Sequence, residues 1–420
     1  MRILFLTQYY PPETGAAAVR LSRLARLLVE SGHQVTVLTS LPNYPEGVIP
    51  AAYGGRLFRR EVRDGVEVVR VWVVATPSKR ARARLLNQFS FMGMAAMRGS
   101  WLRRPDVLFV ESHPLFVTLT GGWLKRIRRA PIVLNVSDPW PEAAVATGAL
   151  KESSPLVRVG RRVERWAYRD ADRIVALSNG FRDSILRIQP SPERVITIRN
   201  GVDLQRFHPA TADERAAARA RLGLAEGPVA VHVGNLSLTY DLNMLLGAAE
   251  GLPEVQFVFA GGGSQAEALQ YGIRDRELGN VRYLGVLPHH EMPSIWAAGD
   301  VSLIALGDHS LAEGTLPAKL YESLATGTPV AAAIRGEGAH LITESGGGLA
   351  TPIGDSSAFV SALKDLLQDP VRRDAMRASG RAFAEAHLSP QRVKDAYESV
   401  FRQAAARRTA DRNPGSGQYP

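Results

Sequence analysis

The sequence predicts an α/β protein built from two doubly wound domains, each a parallel sheet covered by helices. Short apolar runs alternate with amphipathic segments along the chain, and this alternation is typical of parallel sheets with helices on both faces. The pattern occurs twice, separated by the turn-forming sequence Asn-Gly-Val-Asp at residues 200–203. A length of 420 residues is also too great for one compact core and suits two domains.

The first half contains six apolar runs of strand length. They cover residues 3–7, 35–39, 66–74, 107–110, 132–136 and 174–177. Between the first two, residues 19–29 place Leu21, Leu24 and Leu28 on one helical face and arginines elsewhere, which predicts an amphipathic helix. These features predict an N-terminal domain over residues 1–198.

The second half repeats the pattern after a short apolar run at residues 195–198 and a polar, alanine-rich helix that starts near Asp213. The predicted strands cover residues 229–233, 257–260, 281–284, 301–306 and 330–333. We therefore predict a C-terminal domain over residues 199–385. A last helical segment over 386–408 is expected to pack back on the N-terminal domain, and residues 409–420 are expected to form a disordered tail.

The composition excludes several classes of site. The chain has no cysteine, so it has no disulfides, thiolate metal sites or cysteine nucleophiles. Its N-terminal apolar run is shorter than the apolar core of a secretory signal. The most apolar longer window, residues 107–124, contains Glu111, His113 and Pro114 and falls short of the roughly 20 apolar residues that a spanning helix needs. We expect a cytoplasmic protein with no membrane-spanning helix.

Positive charge is concentrated in the first half of the chain. The formal net charge is +10, and residues 1–200 hold 31 Lys+Arg against 16 Asp+Glu. Between Arg56 and Arg129 the basic residues are interleaved with apolar ones such as Phe89, Trp101 and Trp123. Three interpretations of this pattern compete: a solvated basic face, a nucleic-acid-binding surface, or a surface that docks on anionic lipid and keeps the protein peripheral to the inner face of the membrane. Nucleic acid is not an expected partner, because no nucleic-acid-binding motif accompanies the charge.

Ligands of open α/β sheets bind where strands end, and the first strand ends in a suggestive sequence. Residues 9–15 read Tyr-Tyr-Pro-Pro-Glu-Thr-Gly and lead into the first helix. Gly15 has no Cβ and Thr14 can cap the helix, so an anion could bind the backbone amides there. An ordinary strand-to-helix turn would look the same. The Gly-x-Gly-x-x-Gly and Gly-x4-Gly-Lys-Ser/Thr motifs are absent here, which argues against a nicotinamide oxidoreductase and a P-loop kinase.

Two later segments carry a stronger indication of a ligand. Gly261 and Gly262 follow a strand and would let the backbone approach a ligand closely. Further on, Lys319 lies in the first turn of a helix whose start is marked by Pro317, where a lysine is unfavourable without a nearby anion. Glu322 is three residues later, on the same predicted helix face, and could accept the hydroxyls of a ribose. Phosphate plus ribose suggests a nucleotide, although an exposed Lys-Glu pair has the same spacing.

Several motifs resemble those of a known family. They are Tyr-Pro-Pro-Glu-Thr-Gly at residues 10–15, Gly-His-Gln-Val-Thr-Val-Leu-Thr at 32–39, Ala-Leu-Ser-Asn-Gly at 176–180, Arg-Asn-Gly-Val-Asp-Leu-Gln-Arg-Phe-His-Pro at 199–209, Val-Gly-Asn-Leu at 233–236 and Glu-x4-Gly-x-Pro-Val at 322–330. Together they resemble the family 4 glycosyltransferases of the GT-B fold, in which two Rossmann-like domains face a central cleft. Residues 41–47, 138–142 and 317–322 look like the bacterial branch that adds sugars such as N-acetyl-fucosamine to lipid-linked intermediates of surface polysaccharides.

The resemblance implies a transferase that uses a nucleoside-diphosphate sugar, with UDP-linked donors expected, and retains anomeric configuration. No metal or other cofactor is expected. The C-terminal domain would hold the nucleotide sugar, and the N-terminal domain would hold a polyprenyl-linked or saccharide acceptor. A nucleotide-sugar 2-epimerase and a non-catalytic nucleotide-sugar-binding protein are the alternatives.

The resemblance also implies roles for individual residues. Glu322 would bind the ribose and Lys319 the diphosphate, while Gly15 would leave room for the donor phosphate and the acceptor. The remaining nucleotide-sugar-binding candidates are strand-end residues: Gly234, Asn235, Gly261, Gly262, Leu287 in the loop after Gly285, and Arg335.

Three catalytic candidates follow from the same resemblance, and two of them, His113 and Glu313, depart from the family pattern. Asp138 follows the strand after which the family has an acid facing the reacting sugar, but the position of the family's loop histidine is Ser137, so His113 is the candidate substitute. Glu313 is the candidate second glutamate, with eight residues instead of seven between it and Glu322.

Overall fold

The computed structural model describes residues 1–13, 15–78, 80–146, 148 and 150–410. The chain forms two compact units. Unit 1 comprises Met1–Arg199 together with the C-terminal stretch that begins at Pro390, and unit 2 comprises Asn200–Ser389.

The strands and helices follow the alternation predicted from the sequence. The strands are β1 Arg2–Leu6, β2 Gln34–Ser40, β3 Phe58–Arg63, β4 Val66–Val71, β5 Val107–Glu111, β6 Ile132–Val136, β7 Arg173–Ala176, β8 Val195–Thr197, β9 Val229–Val233, β10 Gln256–Ala260, β11 Val281–Tyr283, β12 Val301–Ala305, β13 Val330–Ala333 and β14 Gly348–Thr351. The helices are α1 Ala16–Glu30, α2 Ala81–Gly99, α3 Val117–Arg128, α4 Glu142–Ala146, α5 Pro155–Asp170, α6 Asn179–Ile188, α7 Ala212–Arg221, α8 Leu242–Gly251, α9 Ala266–Asp275, α10 Met292–Ala298, α11 Ala318–Thr326, α12 Glu337–Ser345, α13 Ser356–Gln368, α14 Pro370–His387 and α15 Pro390–Ala410.

The sheet of unit 1 has the order β3-β4-β2-β1-β5-β6-β7-β8 among the described residues. Its strands are parallel except β3, which pairs antiparallel with β4 at the edge. The β3 sequence, Phe-Arg-Arg-Glu-Val-Arg, was not predicted as a strand because its charged side chains mask the short apolar pattern, and such charges are typical of an edge strand. The chain moves from one side of β1 to the other after β4, so β1 and β5 flank a topological switch point.

The last helix, α15, packs into the core of unit 1. Its Phe401 is fully buried, with its ring centroid 5.8 Å from that of Phe109 on β5 and 6.5 Å from that of Phe5 on β1. Burying one such side chain stabilises a fold by about 1.5–3 kcal/mol. Pro390 opens α15, a position that favours proline because the first helical N–H has no partner within the helix.

The structure also corrects the limits predicted for the last segment. Residues 386–387 belong to α14 of unit 2, and residues 409–410 belong to α15 instead of the predicted tail. Residues 411–420 of that predicted tail lie outside the described part of the chain.

Unit 2 has a parallel sheet with the order β11-β10-β9-β12-β13-β14 among the described residues. Here β9 and β12 flank the switch point. The short strand β14, with the sequence Gly-Leu-Ala-Thr, was not predicted because it has few large apolar residues. In the parts of the chain that the structure describes, no helix combines the length and the apolar character needed to cross a membrane.

Candidate functional site

Glycines at the ends of β9 and β10 bring two backbone turns of unit 2 together. Gly234 has φ +112° and Gly261 has φ +139°, both in the region that favours glycine. A Cβ on Gly261 would lie 1.9 Å from the Gly234 carbonyl oxygen, so a side chain there would break the contact. The Gly234 amide donates to the Ala260 carbonyl and the Gly261 amide to the Gly285 carbonyl, both at 2.8 Å. These two amides are therefore engaged within the protein, and the glycines serve close packing.

The neighbouring predicted residues lie on the same loops. Asn235 is exposed next to the β9 turn. A Cβ on Gly262 would lie 2.5 Å from Val286 Cγ2, so the β10 loop packs against the loop that follows β11. Leu287, in that loop, is half-buried against the core of unit 2. The structure thus places these predicted residues in loops at the carboxyl ends of neighbouring strands.

Lys319 lies in the first turn of α11 and is only 4% exposed. Its Cε is 3.5 Å from the position that a Cβ on Gly234 would take. Its Nζ is 2.6 Å from His232 Nε2 and 4.0 Å from the centroid of the Tyr240 ring. Burial lowers the pKa of Lys319 well below its usual range, and the negative charge of Glu322 opposes that shift.

Glu322 lies one turn further along α11 and is half-buried. The indole Nε1 of Trp296, on α10, donates a hydrogen bond to its Oε2 at 3.3 Å. Lys319 therefore faces β9, whereas Glu322 contacts α10. The alternative of an exposed Lys-Glu pair is wrong, because Lys319 is buried.

Glu313 and Arg335, predicted for separate roles, form an ion pair. Arg335 Nε lies 3.0 Å from Glu313 Oε1, and Arg335 Nη1 lies 2.7 Å from Asp308 Oδ1. The Glu313 side chain is well exposed. Two carboxylates thus compensate the Arg335 guanidinium, a contact that their sequence positions do not indicate.

In unit 1, His113 and Asp138 follow the adjacent strands β5 and β6, and both are exposed. The pKa of Asp138 is nevertheless raised, chiefly because the surrounding protein limits the hydration of its carboxylate. The electrostatic interaction with His113 opposes this shift in the pKa of Asp138, and the negative charge of Glu111 adds to it. Their positions after neighbouring strands and this electrostatic interaction place the two predicted residues near each other.

Glu111, at the end of β5, is a buried residue that sequence reasoning missed. Its Oε2 accepts hydrogen bonds from Arg20 Nη2 at 2.9 Å and Asn135 Nδ2 at 2.8 Å, and its Oε1 accepts one from the Ser137 hydroxyl. The hydroxyl of Tyr397, on α15, donates to Asn135 Oδ1 at 2.7 Å. This network fixes the start of the loop that carries Asp138.

Gly15 is the N-cap of α1, with φ −64°. A Cβ there would lie 3.8 Å from Tyr44 Cε1, an ordinary contact, so the backbone does not require glycine at this position. The cap predicted at Thr14 lies outside the described residues. Instead, the buried Glu13 joins the loops after β1 and β2, because its carboxylate accepts the backbone N–H of Tyr10 at 3.2 Å and that of Tyr44 at 3.0 Å.

The sequence matches two families of known domains. Residues 15–201 match the glycosyl transferase 4-like domain, and residues 214–383 match the glycosyl transferases group 1. The D-inositol 3-phosphate glycosyltransferase of Kineococcus radiotolerans is 31% identical over 331 residues, which are 72% of this chain and 74% of that protein. The chain belongs to these glycosyltransferases. The predicted enzyme class, a glycosyltransferase, is confirmed.

Two further comparisons, one with a protein sequence and one with a solved structure, concern the class and the fold of this glycosyltransferase. WcaI of Escherichia coli, a relative named for colanic acid biosynthesis, is 25% identical over 339 residues, 78% of this chain and 82% of that protein. The structure of Anabaena Alr3699/HepE in complex with UDP-glucose aligns with a TM-score of 0.73 at 19% identity and covers 96% of this chain and 100% of that one. The predicted GT-B fold is confirmed. The epimerase interpretation is not favoured, since both named relatives are transferases.

Proposed function

We propose that this glycosyltransferase moves a sugar from a UDP-sugar to a lipid-linked or saccharide acceptor of cell-envelope polysaccharide. It does so with retention of anomeric configuration and without a bound metal. The observation that carries the proposal is the position of Lys319 and Glu322 one turn apart in α11, with Lys319 beside the β9 glycine turn. The UDP-glucose in the Anabaena structure supports the donor class, and the colanic acid relative supports the class of acceptor.

The donor binds to unit 2. Glu322 accepts hydrogen bonds from the ribose hydroxyls, and Lys319 pairs with the diphosphate beside the Gly234 turn. The leaving diphosphate gains negative charge in the transition state, so a cation held beside it lowers the barrier. We assign this role to Lys319 in preference to Arg335, because Asp308 and Glu313 already compensate the charge of Arg335.

The acceptor binds to unit 1. Asp138 and His113 orient its reacting hydroxyl at the ends of β6 and β5, and orientation of this kind supplies a large part of a transferase's rate. The rings of Tyr9 and Tyr44 offer a surface on which a saccharide can pack, because aromatic faces pack on the apolar side of sugars. The Tyr9 ring centroid lies 5.4 Å from that of Tyr44 and 6.4 Å from that of His113.

The proposal is tested by turnover. The purified full chain is incubated with UDP-, GDP- and ADP-sugars, UDP-N-acetyl-fucosamine among them, and a polyprenyl-diphosphate saccharide in detergent. We expect mass spectrometry to detect a lengthened acceptor, NMR to show the donor's anomeric configuration in the product, and EDTA to leave the rate unchanged. A folded protein that transfers no sugar from any donor in the panel would refute the proposal.

The nucleotide site has a sharper test. Glu322→Ala should weaken UDP binding at least tenfold, because one hydrogen bond to a charged group contributes about 1.5–3 kcal/mol. Glu344→Ala, which removes an exposed carboxylate of α12, is the matched control and should bind UDP like the wild type. Equal affinity of the two variants would remove Glu322 from the site.

We also propose that the protein docks on the cytoplasmic face of the membrane through α2 and α3, which pack against each other. The apolar side chains exposed on this surface, called the α2–α3 surface, are Leu86, Phe89, Met97, Trp101, Leu119, Trp123 and Ile127. The same stretch of the chain also carries these exposed arginines: Arg82, Arg84, Arg103, Arg104, Arg126 and Arg129. Trp101 is 82% exposed and Trp123 is 52% exposed. Exposed tryptophan beside clustered arginine suits the interface of an anionic bilayer.

Vesicle sedimentation tests this surface. The protein should sediment with phosphatidylglycerol vesicles but not with phosphatidylcholine vesicles, and high salt should release it, because salt screens the attraction. The double variant Trp101→Ser/Trp123→Ser should bind more weakly. Val286→Ser, which removes an exposed apolar side chain of unit 2, should bind like the wild type. Equal binding to phosphatidylglycerol and phosphatidylcholine vesicles would contradict the docking proposal and leave the transferase proposal intact.

A further inference from the structure

The side chain of Lys319 is held by an imidazole and an aromatic ring, although its proposed ligand is a diphosphate. His232, the acceptor of its hydrogen bond, is fully buried in β9. The Tyr240 ring lies against Nζ at 4.0 Å, a geometry that attracts a cation. Both contacts belong to unit 2 and lie at the same end of β9 as the Gly234 turn.

The hydrogen bonds determine which nitrogen of His232 carries the proton. Nδ1 lies 3.1 Å from the carbonyl oxygen of Leu303, on the neighbouring strand β12. A carbonyl can only accept, so Nδ1 carries the hydrogen and Nε2 presents its lone pair to Lys319. The imidazole is therefore neutral and acts as an acceptor for the amine.

Packing on both sides holds the His232 ring in this orientation. Its centroid lies 5.7 Å from that of Phe259, on β10, and 5.5 Å from that of Tyr240. With Phe259 on one neighbouring strand and Leu303 on the other, the ring is held by β10 and β12 at once. The lone pair of Nε2 thus has a fixed direction, and Lys319 Nζ lies along that direction within hydrogen-bonding distance.

We propose that His232 is a positioning residue for the donor diphosphate: it holds the Lys319 amine beneath the Gly234 turn, from where the amine engages the diphosphate. This inference rests on the proposed function and extends it to a residue that does not itself touch the ligand. Without the Nε2 acceptor, the long Lys319 side chain gains rotamer freedom that binding must then remove. The effect should therefore appear only with ligands that carry the diphosphate.

The experiment compares UDP with uridine, measured by calorimetry and ligand-observed NMR on the full chain. His232→Phe keeps the ring packing but removes the acceptor, and His232→Gln places an amide oxygen near the position of Nε2. We expect His232→Phe to weaken UDP binding about tenfold or more and to leave uridine binding unchanged, with His232→Gln recovering most of the loss. In a Lys319→Met background, His232→Phe should have no further effect on UDP affinity.

The outcomes separate the two levels of the proposal. A wild-type protein that binds none of UDP, GDP and ADP would overturn the proposed function. UDP binding that Lys319→Met does not change would overturn both the role of Lys319 and the inference. A third outcome is that Lys319→Met weakens UDP binding while His232→Phe changes the affinities for UDP and uridine equally, or changes neither affinity. In that case only the inference about His232 fails. Should His232→Phe not fold, His232→Gln and His232→Asn decide, since asparagine cannot place an acceptor at the Nε2 position.

Discussion

Replacing Glu111 with glutamine tests the buried network of unit 1. The Glu111 carboxylate has no exposed surface and accepts hydrogen bonds from Arg20, Asn135 and Ser137. A glutamine has nearly the same shape, but it lacks the negative charge that compensates Arg20. Its side-chain NH2 group would also face the N–H groups of Arg20 and Asn135 or the hydroxyl of Ser137, which act as hydrogen-bond donors here. The substitution therefore removes one partner of a buried ion pair and leaves the other in place.

The expected cost follows from the burial of the two partners. Breaking a buried ion pair on one side destabilises a protein by about 3–5 kcal/mol. The Arg20 side chain keeps 18% exposure, so the lower end, about 3 kcal/mol, applies. For a unit of this size about 1 kcal/mol corresponds to roughly 2–4 °C in the melting temperature, which gives a decrease of about 6–12 °C.

Urea unfolding followed by tryptophan fluorescence measures this cost, because five of the six tryptophans lie in unit 1. The matched control is Glu142→Gln, which removes a partly exposed pair with Arg161 at 2.8 Å and should cost no more than about 1 kcal/mol. If Glu111→Gln lowers the stability of unit 1 no more than Glu142→Gln does, the network is not the buried ion pair described above.

Two further predictions concern a buried acid and a helical glycine. Burial raises the pKa of Glu164 from 4.5 to about 8, so the native state keeps a proton that the unfolded chain loses. The unfolding free energy should therefore fall as the pH rises from about 5 to 8, by an amount on the order of a few kcal/mol, and Glu164→Gln should flatten this slope in urea titrations at several pH values. Gly247 lies inside α8 with no atom within 4 Å of the place a Cβ would take, so Gly247→Ala should raise the stability of unit 2 by about 0.5–1 kcal/mol in calorimetry, whereas a decrease would show an unrecognised contact.

The strands that sequence reasoning predicted are those whose apolar residues form an uninterrupted run. The β9 sequence Val-Ala-Val-His-Val and the β12 sequence Val-Ser-Leu-Ile-Ala are buried at every position, as central strands of a parallel sheet must be. The edge strand β3 was missed for the opposite reason, because its side chains alternate between half-buried and exposed and its sequence is mostly charged. Hydrophobic pattern thus predicts the centre of each sheet better than its edges.

The candidate site divides in a similar way. Lys319 and Glu322 could be predicted together because their spacing of three residues is a property of the helix. The partner that holds Lys319 could not be predicted, because His232 is 87 residues away from it. The same is true in unit 1, where Tyr397 is 262 residues from Asn135, the residue it contacts. The ion pair of Glu313 with Arg335 was missed likewise, since the two residues come from different loops. The one available signal was His232 itself, a single polar residue inside an apolar strand.

Glu111, at the end of β5, and Lys319, in the first turn of α11, are both buried but differ in how their charge is compensated. This difference separates a structural role from a ligand-binding one. Glu111 is paired with a cation and accepts two further hydrogen bonds, so its charge is compensated within the fold. The hydrogen bond of Lys319 goes to a neutral imidazole, and its second contact is to an aromatic ring. An alkyl side chain would fill the same space without the cost of burying an amine. The negative charge of Glu322 opposes the effect of burial on Lys319 but does not cancel it, so an anion arriving beside Gly234 would add further compensating charge.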